Sequence, residues 1–385
     1  MRLACDGREI SAGRAGGLRA YADSVVRSLS EHADDIDLTV YTDREVPPTY
    51  GGARWRLCPP AQLVLREQFY LPRMLERDGA DLAHFPANTG PARCPVPYVL
   101  TLHDTFCIER GLADIALYGR ARNKLLSLYA KLAPRVAARR ARRIITVSQY
   151  SARRIASVLR LDPDAVDVAP QSIHPRFRPI DSADIRRQIL ASTGADRLGL
   201  VIGSVEPRKN LARVLNAFTK AAERDPGLGL VLTWPRGVEL SRWLSKHAPG
   251  TWHRLRVVQG VTDEGLAQLY SSVDFLVFAS QREGFGLPVV EAFACGCPVI
   301  TSNTTCLPET AAGAAVLVDP LDVDAISEAI GRVAQDDALR RSLRQAGFAR
   351  AAEFSDSRTA EALTAAYMAA LSGSHRVSTS EAAAA

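Results

Sequence analysis

Residues 283–296 read Glu-Gly-Phe-Gly-Leu-Pro-Val-Val-Glu-Ala-Phe-Ala-Cys-Gly and follow an apolar run at 274–278. Pro288 suits the first turn of a helix, where its missing N–H costs nothing, and Gly296 suits the residue just past a helix end. The pattern predicts a strand, a glycine-containing loop and a short helix. The amino terminus of such a helix attracts an anion, and Gly284 and Gly286 let the backbone approach a ligand closely. Phosphate is therefore the expected ligand.

The rest of the chain alternates short apolar runs with stretches of helical periodicity, such as 211–222 and 324–333. The apolar runs lie at 38–41, 98–102, 144–147, 198–202, 228–232, 274–278 and 298–301. This alternation favours parallel sheets covered by helices. The predicted fold class is therefore α/β.

The length of 385 residues favours two hydrophobic cores. A proline-rich passage at 170–179 interrupts the pattern, and a new series of strands and helices begins near Leu198. We expect a first domain at 1–178, a second at 179–355 and a disordered tail at 374–385.

Composition indicates a soluble globular protein, with 47% hydrophobic and 23% charged residues. The first residues become charged too early for a signal peptide, and no apolar run is long enough to cross a membrane, so a cytoplasmic location is expected. The seven cysteines show no paired pattern and predict reduced thiols. The spacing of Cys295 and Cys297 is too short for a zinc knuckle, so both are interpreted as structural.

The positive charge, +6 in total, is concentrated between Tyr118 and Arg143. Apolar residues are interleaved there at roughly helical spacing. The basic residues are Arg120, Arg122, Lys124, Lys131, Arg135, Arg139, Arg140, Arg142 and Arg143. A solvated helix face is the first interpretation, followed by an interfacial helix against anionic lipid and then by a nucleic-acid patch.

Charged residues surround the predicted phosphate site. Glu283 and Glu291 bracket the helix start. Because two carboxylates would repel a phosphate, they are expected to bind neutral groups such as sugar hydroxyls. Arg208 and Lys209 follow the strand at 198–202, at the sheet edge where α/β proteins bind ligands, and could neutralise a diphosphate leaving group. Taken singly, Glu283 can also be explained as an exposed loop acid and Glu291 as a first-turn acid that complements the helix dipole. A solvated turn is the alternative for the basic pair.

The run EGFGLPVVEAFACGCPVI at 283–300 resembles the E-x7-E signature of the retaining glycosyltransferases of family 4, which have the GT-B fold. The resemblance extends over most of the chain in the expected order. Further segments that resemble the family's motifs are Gly16-Gly17, Thr101-Leu-His-Asp104, Thr146-Val-Ser148, Gly203-Ser-Val-Glu-Pro-Arg-Lys-Asn210 and Leu307-Pro-Glu309.

The resemblance implies two Rossmann-like doubly wound domains facing a central cleft, with a final helix at about 356–372 that returns to the first domain. It implies that the second domain binds the nucleotide-sugar donor and the first domain makes most acceptor contacts. It also implies transfer with retention at the anomeric carbon, no enzymic nucleophile, and help from the leaving phosphate oxygen in deprotonating the acceptor.

The resemblance also implies a role for each candidate site residue. Glu283 contacts the donor sugar, Glu291 the ribose, and Phe285-Gly286-Leu287 the sugar and its phosphate. Lys209 with Arg208 holds the diphosphate, and His103 contacts the sugar, whereas His84 is not distinguished from an ordinary packed histidine. Gly16-Gly17 is equally explained as a phosphate- or acceptor-contacting loop and as a tight turn. Where many relatives have an arginine directly after the strand glycine, this chain has Ser204, so Arg208 must supply any second cation.

No metal is expected to be required. Asp-x-Asp pairs at 35/37, 162/164 and 322/324 are interpreted as loops or helix caps. Cations and a helix terminus would take the place of a metal beside the leaving diphosphate.

The expected function is transfer of a hexose-type sugar from a nucleotide sugar to a saccharide, a lipid-linked glycan or a small natural product. A nucleotide-sugar epimerase and a non-catalytic nucleotide-sugar-binding subunit are the alternatives. Nucleic acid is not an expected partner, because the basic stretch lacks the aromatic interleaving of such sites. The sequence does not decide whether the protein contacts an anionic membrane. It also does not specify the donor nucleotide, the sugar, the acceptor or the oligomeric state.

Overall fold

The computed structural model describes residues 1–11, 16–44, 50–59, 62–109, 124–235, 237, 239–247 and 254–373. Contacts divide the chain into two compact units. The first comprises Met1–Ser172 together with the chain from Phe354 onward, and the second comprises Ile173–Glu353. The division falls at 172/173, whereas the sequence predicts it at 178/179. The predicted tail at 374–385 lies outside the described residues.

The first unit contains a parallel sheet of seven described strands in the order β3-β2-β1-β4-β5-β6-β7. Since the chain runs outward from β1 in one direction and from β4 in the other, the topology reverses between β1 and β4. The strands are β1 (Arg2–Asp6), β2 (Asp37–Thr42), β3 (Ala53–Leu57), β4 (Leu82–Phe85), β5 (Tyr98–Thr101), β6 (Arg143–Thr146) and β7 (Val166–Val168).

Helices connect these strands in the pattern of a doubly wound sheet. The described helices are α1 (Arg8–Ser11), α2 (Gly17–His32), α3 (Leu63–Leu65), a π-helical turn (Arg66–Tyr70), α4 (Leu71–Arg77), α5 (Phe106–Glu109), α6 (Lys124–Arg140), α7 (Gln149–Leu159) and a 3-10 turn (Pro163–Ala165). Buried aliphatic and aromatic side chains of the strands form the core beneath them, among them Leu100, Ile144 and Phe85.

The last described helix, α16 (Asp356–Leu371), belongs to the first unit and packs against α2. Ser355 caps its amino terminus by accepting a hydrogen bond from the Arg358 N–H. Asp356 receives the Arg27 guanidinium of α2 at 2.9 Å. This is the packing that the family resemblance predicts for the segment 356–372.

The second unit contains a parallel sheet of six described strands in the order β10-β9-β8-β11-β12-β13. Its topology reverses between β8 and β11. The strands are β8 (Arg197–Ile202), β9 (Leu228–Trp234), β10 (Leu255–Gln259), β11 (Phe275–Phe278), β12 (Val299–Ser302) and β13 (Val316–Val318). Ligands of doubly wound sheets bind at the carboxyl ends of the strands beside such a reversal.

The described helices of this unit are α8 (Ala183–Thr193), a 3-10 turn (Pro207–Lys209), α9 (Leu211–Arg224), α10 (Leu240–His247), α11 (Asp263–Ser272), α12 (Leu287–Ala294), α13 (Leu307–Ala311), α14 (Val323–Gln335) and α15 (Asp337–Ala351). One core cluster joins α9 and α14 to the sheet through buried residues such as Leu215, Phe218 and Ile330. The helices predicted at 211–222 and 324–333 are confirmed as α9 and α14.

All seven predicted apolar runs lie on strands of the two sheets, so the α/β prediction is confirmed. Asp322 caps α14 and Asp162 caps the 3-10 turn at Pro163, as expected for aspartates at helix starts. Cys295 and Cys297 are buried free thiols.

Candidate functional site

The second unit brings two loops together at the carboxyl ends of β8 and β11, which are neighbours in the sheet. The 3-10 turn Pro207–Lys209 follows β8, and the loop with Glu283 follows β11. The Gln281 N–H donates to the Arg208 carbonyl oxygen at 2.8 Å, so the two loops are joined by backbone as well as by side chains. The sequence places both loops at this edge, and the structure brings them into contact.

Asn210 fixes the turn from the basic pair into α9. Its φ is +60°, a left-handed conformation that asparagine tolerates better than most residues. The Asn210 amide nitrogen donates to the carbonyl oxygens of Ala279 and Pro320 at 2.9 and 2.6 Å. This asparagine therefore ties the basic turn to the chain following β11 and β13, and the sequence gives no local signal of these distant partners.

Glu283 lies at the centre of the joined loops, and the residue is only 7% exposed. The Lys209 ammonium donates to Oε1 at 2.7 Å and the Arg208 guanidinium to Oε2 at 3.0 Å. Ser280 also donates its hydroxyl to Oε1, at 2.6 Å. Glu283 is therefore a buried, paired carboxylate, and the interpretation of an exposed loop acid is wrong.

The protonation of Glu283 reflects this pairing. Burial favours the neutral acid and is the largest single influence, but the charges of Lys209 and Arg208 and the hydrogen bonds from Lys209 and Ser280 together outweigh it. The pKa of Glu283 consequently lies below its ordinary value. Glu283 is ionised at neutral pH.

The basic pair is oriented rather than solvated. Arg208 pairs through Nε with Glu206 at 2.7 Å and donates to the Arg282 carbonyl oxygen at 3.1 Å. The Lys209 ammonium lies 5.1 Å from the centre of the Phe278 ring, a cation–π contact. Both side chains are about four-fifths buried, so the interpretation of a solvated turn is wrong.

Helix α12 begins at this edge after Gly286, whose φ is +92°. A β-carbon at Gly286 would lie 2.6 Å from Leu307 Cδ2, so the position requires glycine for space as well as for its backbone angle. Pro288 occupies the first turn, as predicted, and no side chain caps the helix. The Phe285 carbonyl oxygen accepts a hydrogen bond from Thr310, which holds the backbone at Phe285 against α13. The start of α12 therefore has no side-chain cap, and the positive end of its dipole would attract an anion.

Glu291 lies within α12, four residues after the helix start at Leu287, and its surroundings differ from those of Glu283. Tyr270 of α11 donates its hydroxyl to Oε2 at 3.2 Å, and no cation of the described residues pairs with the carboxyl group. Burial raises the pKa of Glu291 to about 8, helped by the charge of Asp263 and opposed by the Tyr270 hydrogen bond. Glu291 therefore carries a proton at neutral pH. An exposed acid that only complements the helix dipole would be ionised, so that interpretation does not fit Glu291.

Sequence reasoning missed Ser280 and Tyr270 as partners of the two glutamates. Ser280 lies three residues before Glu283, and its hydroxyl could have been considered as a local donor. Tyr270 is on a different helix, α11, and no spacing rule connects it to Glu291.

His103 follows β5 in the first unit. Its backbone N–H donates to Asn88 Oδ1 at 2.8 Å, and its ring Nε2 lies 2.9 Å from the Pro86 carbonyl oxygen. The Tyr21 ring of α2 meets the imidazole edge-on, with ring centres 4.6 Å apart. Burial lowers the pKa of His103 to about 4, against the opposing effect of the Pro86 hydrogen bond, so the ring is neutral at pH 7.

His84 lies within β4 and is fully buried. Its Nε2 lies 2.7 Å from the Thr101 hydroxyl and its Nδ1 2.8 Å from the Tyr367 hydroxyl of α16. Both ring nitrogens are therefore used inside the core, where they hold the returning helix. His84 is a structural residue, in line with the prediction that did not distinguish it.

Gly16 and Gly17 lie at the start of α2. Gly16 precedes the helix with φ of +151° and ψ of +164°, and no side chain caps the helix there. Both glycines are exposed. A helix thus begins after them, as predicted, with an uncapped amino terminus, and the functional and tight-turn interpretations both remain compatible with this geometry.

The basic stretch falls partly outside the described residues, which do not include Arg120 and Arg122. Within α6 and the residues after it, Arg139 and Arg140 are exposed, whereas Arg143 is buried and paired with Asp167 at 2.5 Å. Leu128, Leu132 and Val136 recur every four residues and are 40%, 47% and 42% exposed. The outward side of α6 is therefore apolar as well as basic, which differs from a purely solvated face.

No described helix is both long enough and apolar enough to cross a bilayer. No cluster of three or more His, Cys, Asp or Glu side chains in the described part of the chain is arranged to hold a metal ion. Metal independence stays a prediction.

The structure is that of two doubly wound α/β units, and at one sheet edge of the second unit two cations, a buried carboxylate and a helix start lie together. Two family models match nearly the whole chain: "Glycosyltransferase Family 4" at residues 15–177 and "Glycosyl transferases group 1" at residues 182–350. The chain belongs to the family 4 glycosyltransferases.

Individual relatives agree with this assignment. The chain is 34% identical over 223 residues to O-antigen chain mannosyltransferase B of Escherichia coli, which is 56% of this chain and 57% of that protein. It is 28% identical over 388 residues to the MMP alpha-(1->4)-mannosyltransferase of Mycolicibacterium hassiacum, covering 88% of this chain and 90% of that one. The matches to the first relatives span from about a quarter to under three fifths of those proteins' own lengths.

Solved structures show the GT-B fold. The sucrose-phosphate synthase from Thermosynechococcus elongatus has a TM-score of 0.70 at 20% identity, over 95% of this chain and 98% of that one. HepE from Anabaena in complex with UDP and glucose has a TM-score of 0.71 at 15% identity, over 96% of this chain and 99% of that one.

Proposed function

We propose that this protein transfers a hexose-type sugar, with retention at the anomeric carbon, from a nucleoside-diphosphate sugar to a hydroxyl group of an acceptor. The observation that carries the proposal is the pairing of Lys209 and Arg208 with the buried carboxylate of Glu283, beside the open start of α12. The family membership and the UDP and glucose bound to HepE support the same class of donor.

In the proposed reaction, the diphosphate lies against the α12 amino terminus and forms ion pairs with Lys209 and Arg208, which then pair less closely with Glu283. Negative charge develops on the diphosphate as the sugar leaves, and the two oriented cations and the positive end of the α12 dipole stabilise it without reorganisation. Glu283, relieved of part of its ionic pairing, accepts hydrogen bonds from donor sugar hydroxyls. Phe285, Gly286 and Leu287 would bind the sugar and its phosphate through backbone.

Glu291 is proposed to bind the ribose. Its protonated carboxyl group has one O–H donor and acceptor capacity left, so it can both donate to and accept from a hydroxyl group. A neutral group beside the diphosphate also avoids the repulsion that a second carboxylate would cause.

The test is product formation from a panel of UDP-, GDP- and dTDP-hexoses with saccharide, lipid-linked and aminocyclitol acceptors, followed by mass spectrometry. We expect a glycosylated product with the wild type and its loss in Glu283→Ala and Lys209→Ala, with circular dichroism unchanged. Lys220→Ala is a matched control, because Lys220 also pairs with an acid, Asp324, but lies on the exposed side of α9. Near-normal turnover in either site variant would overturn the site assignment.

The same assay separates the alternatives. An epimerase would convert the donor sugar without an acceptor, and a non-catalytic binding subunit would hold the nucleotide without turnover. Chelation of metal ions with EDTA is expected to leave turnover unchanged, since in this proposal cationic side chains and a helix terminus stabilise the diphosphate without a metal. A loss of turnover that is restored by Mg²⁺ or Mn²⁺ would contradict metal independence.

We further propose that the outward side of α6 rests on an anionic membrane surface. The chain has no Asp or Glu between Asp114 and Asp162, and Leu128, Leu132 and Val136 are exposed on this helix beside Arg139 and Arg140. Apolar side chains among cations fit the boundary between acyl chains and anionic headgroups.

Sedimentation with vesicles tests this contact. We expect binding to phosphatidylcholine vesicles that contain phosphatidylglycerol, little binding to pure phosphatidylcholine, and a loss of binding in Leu132→Glu. Met368→Glu is the control, because Met368 is also an exposed helical residue, at 57% exposure. Equal binding of the wild type and Leu132→Glu would exclude this surface.

A further inference from the structure

His103 is held at both its backbone and its ring by one short segment of the first unit. The segment Pro86–Asn88 directly follows β4, and His103 follows the neighbouring strand β5. Asn88 Oδ1 accepts the His103 backbone N–H at 2.8 Å, and the Pro86 carbonyl oxygen lies 2.9 Å from the ring Nε2. These two contacts fix where the residue sits and how its ring is turned.

Asn88 has an unusual backbone conformation that makes this possible. Its φ is +64°, in the left-handed region that residues with a β-carbon seldom adopt and that asparagine tolerates. The Asn88 N–H donates to the Thr101 carbonyl oxygen at 3.1 Å. The Asn88 side-chain oxygen accepts the N–H of His103, two residues after Thr101. Asn88 thus continues the pairing of β4 with β5 beyond the end of the strands.

The contact with Pro86 decides the tautomer of the ring. A carbonyl oxygen can only accept, so Nε2 must carry the proton. In a neutral imidazole the other nitrogen, Nδ1, then has a lone pair and no proton. No group in the described part of the chain bonds to Nδ1, and His103 is only partly buried, so this nitrogen is open to a donor from outside the protein.

We propose that Asn88 is a positioning residue, which together with the Pro86 carbonyl group holds His103 as the Nε2–H tautomer so that Nδ1 accepts a hydrogen bond from a sugar hydroxyl. The role of His103 toward the sugar rests on the proposed function. The tautomer and its dependence on Asn88 do not, because they follow from contacts within the first unit.

The surroundings of the ring keep it neutral. Tyr21 packs edge-on against the imidazole, and the neighbouring histidine, His84, is itself buried and neutral. The adjacent carboxylate of Asp104 accepts the Phe106 N–H at 2.9 Å. Burial lowers the pKa of His103 to about 4, so the ring acts as a hydrogen-bond acceptor and not as a general acid at neutral pH.

The first measurement is a two-dimensional ¹H–¹⁵N spectrum of the ¹⁵N-histidine protein, with His103→Gln used to assign the ring signals. We expect a protonated Nε2 and an unprotonated Nδ1, unchanged from pH 5.5 to 8.5. A ring that titrates near pH 6.5, or one that carries its proton on Nδ1, would overturn the proposal whether or not the protein proves to be a glycosyltransferase.

The second measurement separates the effect of the Asn88 side-chain acceptor from the effect of the Asn88 backbone conformation. Asn88→Gly keeps the left-handed angle at no steric cost but removes the acceptor, whereas Asn88→Asp keeps both. We expect Asn88→Gly to lower kcat by about tenfold or more with little change in the KM for the donor, and to give a mixture of tautomers. Asn88→Asp should retain most of the turnover at pH 8.

Wild-type turnover and a single tautomer in Asn88→Gly would contradict the positioning role. If the wild type showed no transferase activity at all, the proposed function would fail, and the tautomer spectra of the Asn88 variants would still decide the present proposal.

Discussion

Glu283 and Glu291 stand at the two ends of one nine-residue segment, and each is 7% exposed, yet their charges differ. Glu283 contacts Lys209, Arg208 and Ser280, and its pKa lies below the ordinary value despite burial. Glu291 contacts Tyr270, and burial raises its pKa to about 8. Equal burial therefore shifts the two pKa values in opposite directions, because two cations from the turn after β8 pair with Glu283, whereas no cation of the described residues pairs with Glu291.

The difference assigns distinct chemistry to the two ends. In the proposed reaction at neutral pH, the ion pairs of Glu283 open to admit a diphosphate, and the neutral carboxyl group of Glu291 binds hydroxyl groups. Paired acids with pKa values pushed apart are typical of sites in which each has its own role.

The largest expected effect comes from replacing each carboxyl group by an amide. Glu283→Gln removes a charge that Lys209 and Arg208 require, so we expect turnover at pH 7 to fall by about a hundredfold to a thousandfold. Glu291→Gln replaces a group that is already uncharged, so the loss should stay below about tenfold. Steady-state kinetics with a saturating donor provide the measurement, and equal losses in both variants would remove the distinction.

A smaller effect is expected in the pH dependence of stability. Between the unfolded pKa of about 4.5 and the folded value of about 8, the folded protein keeps a proton on Glu291 that the unfolded chain releases. The contribution of Glu291 is fully present below pH 4.5, and it decreases by about 1.4 kcal/mol per pH unit until it is lost near pH 8.

Urea unfolding of the wild type and Glu291→Gln at pH 5, 6, 7 and 8 measures this slope. Other titrating groups, such as His84, are common to both proteins and cancel in the difference. A difference in the free energy of unfolding that does not change with pH would show that Glu291 is ionised in the folded protein.

The smallest effect should come from Ser280→Ala. The hydroxyl donates to Glu283 Oε1 at 2.6 Å, alongside the stronger interaction with Lys209. We expect a loss of about 1–2 kcal/mol in the free energy of unfolding and a modest rise in the pKa of Glu283, with turnover reduced much less than in Lys209→Ala. An effect as large as that of Lys209→Ala would mean that the hydroxyl, and not the cation, keeps Glu283 ionised.

The predicted apolar runs all lie on interior strands of the two sheets, and none lies on an edge strand. All seven predicted runs lie on strands. Of the six described strands without a predicted run, β3, β7, β10 and β13 are the edge strands of the two sheets, and β1 and β4 are central strands of the first sheet. Edge strands such as β3, Ala53–Leu57, are partly exposed and mix arginine with apolar residues. An apolar run is a signal of burial on both faces, so it cannot mark a strand that lacks such burial.

The site shows the same division between local and distant information. The motif spacing predicts Glu283, the basic pair and the helix start, because each lies directly after a buried strand. The protonation of Glu291 could not be predicted, since it depends on the burial of its carboxyl group against α11. The role of Asn88 depends on the pairing of β4 with β5, which brings together residues that are not neighbours in the sequence.

Titration of the two carboxyl groups by ¹³C NMR tests the central claim most directly. Glutamate labelled at the carboxyl carbon, with Glu283→Gln and Glu291→Gln for assignment, gives both pKa values in one protein. We expect the Glu283 signal to titrate below pH 4.5 and the Glu291 signal near pH 8. Two signals that titrate together near pH 4.5 would contradict the account of a charged and a neutral end to the site.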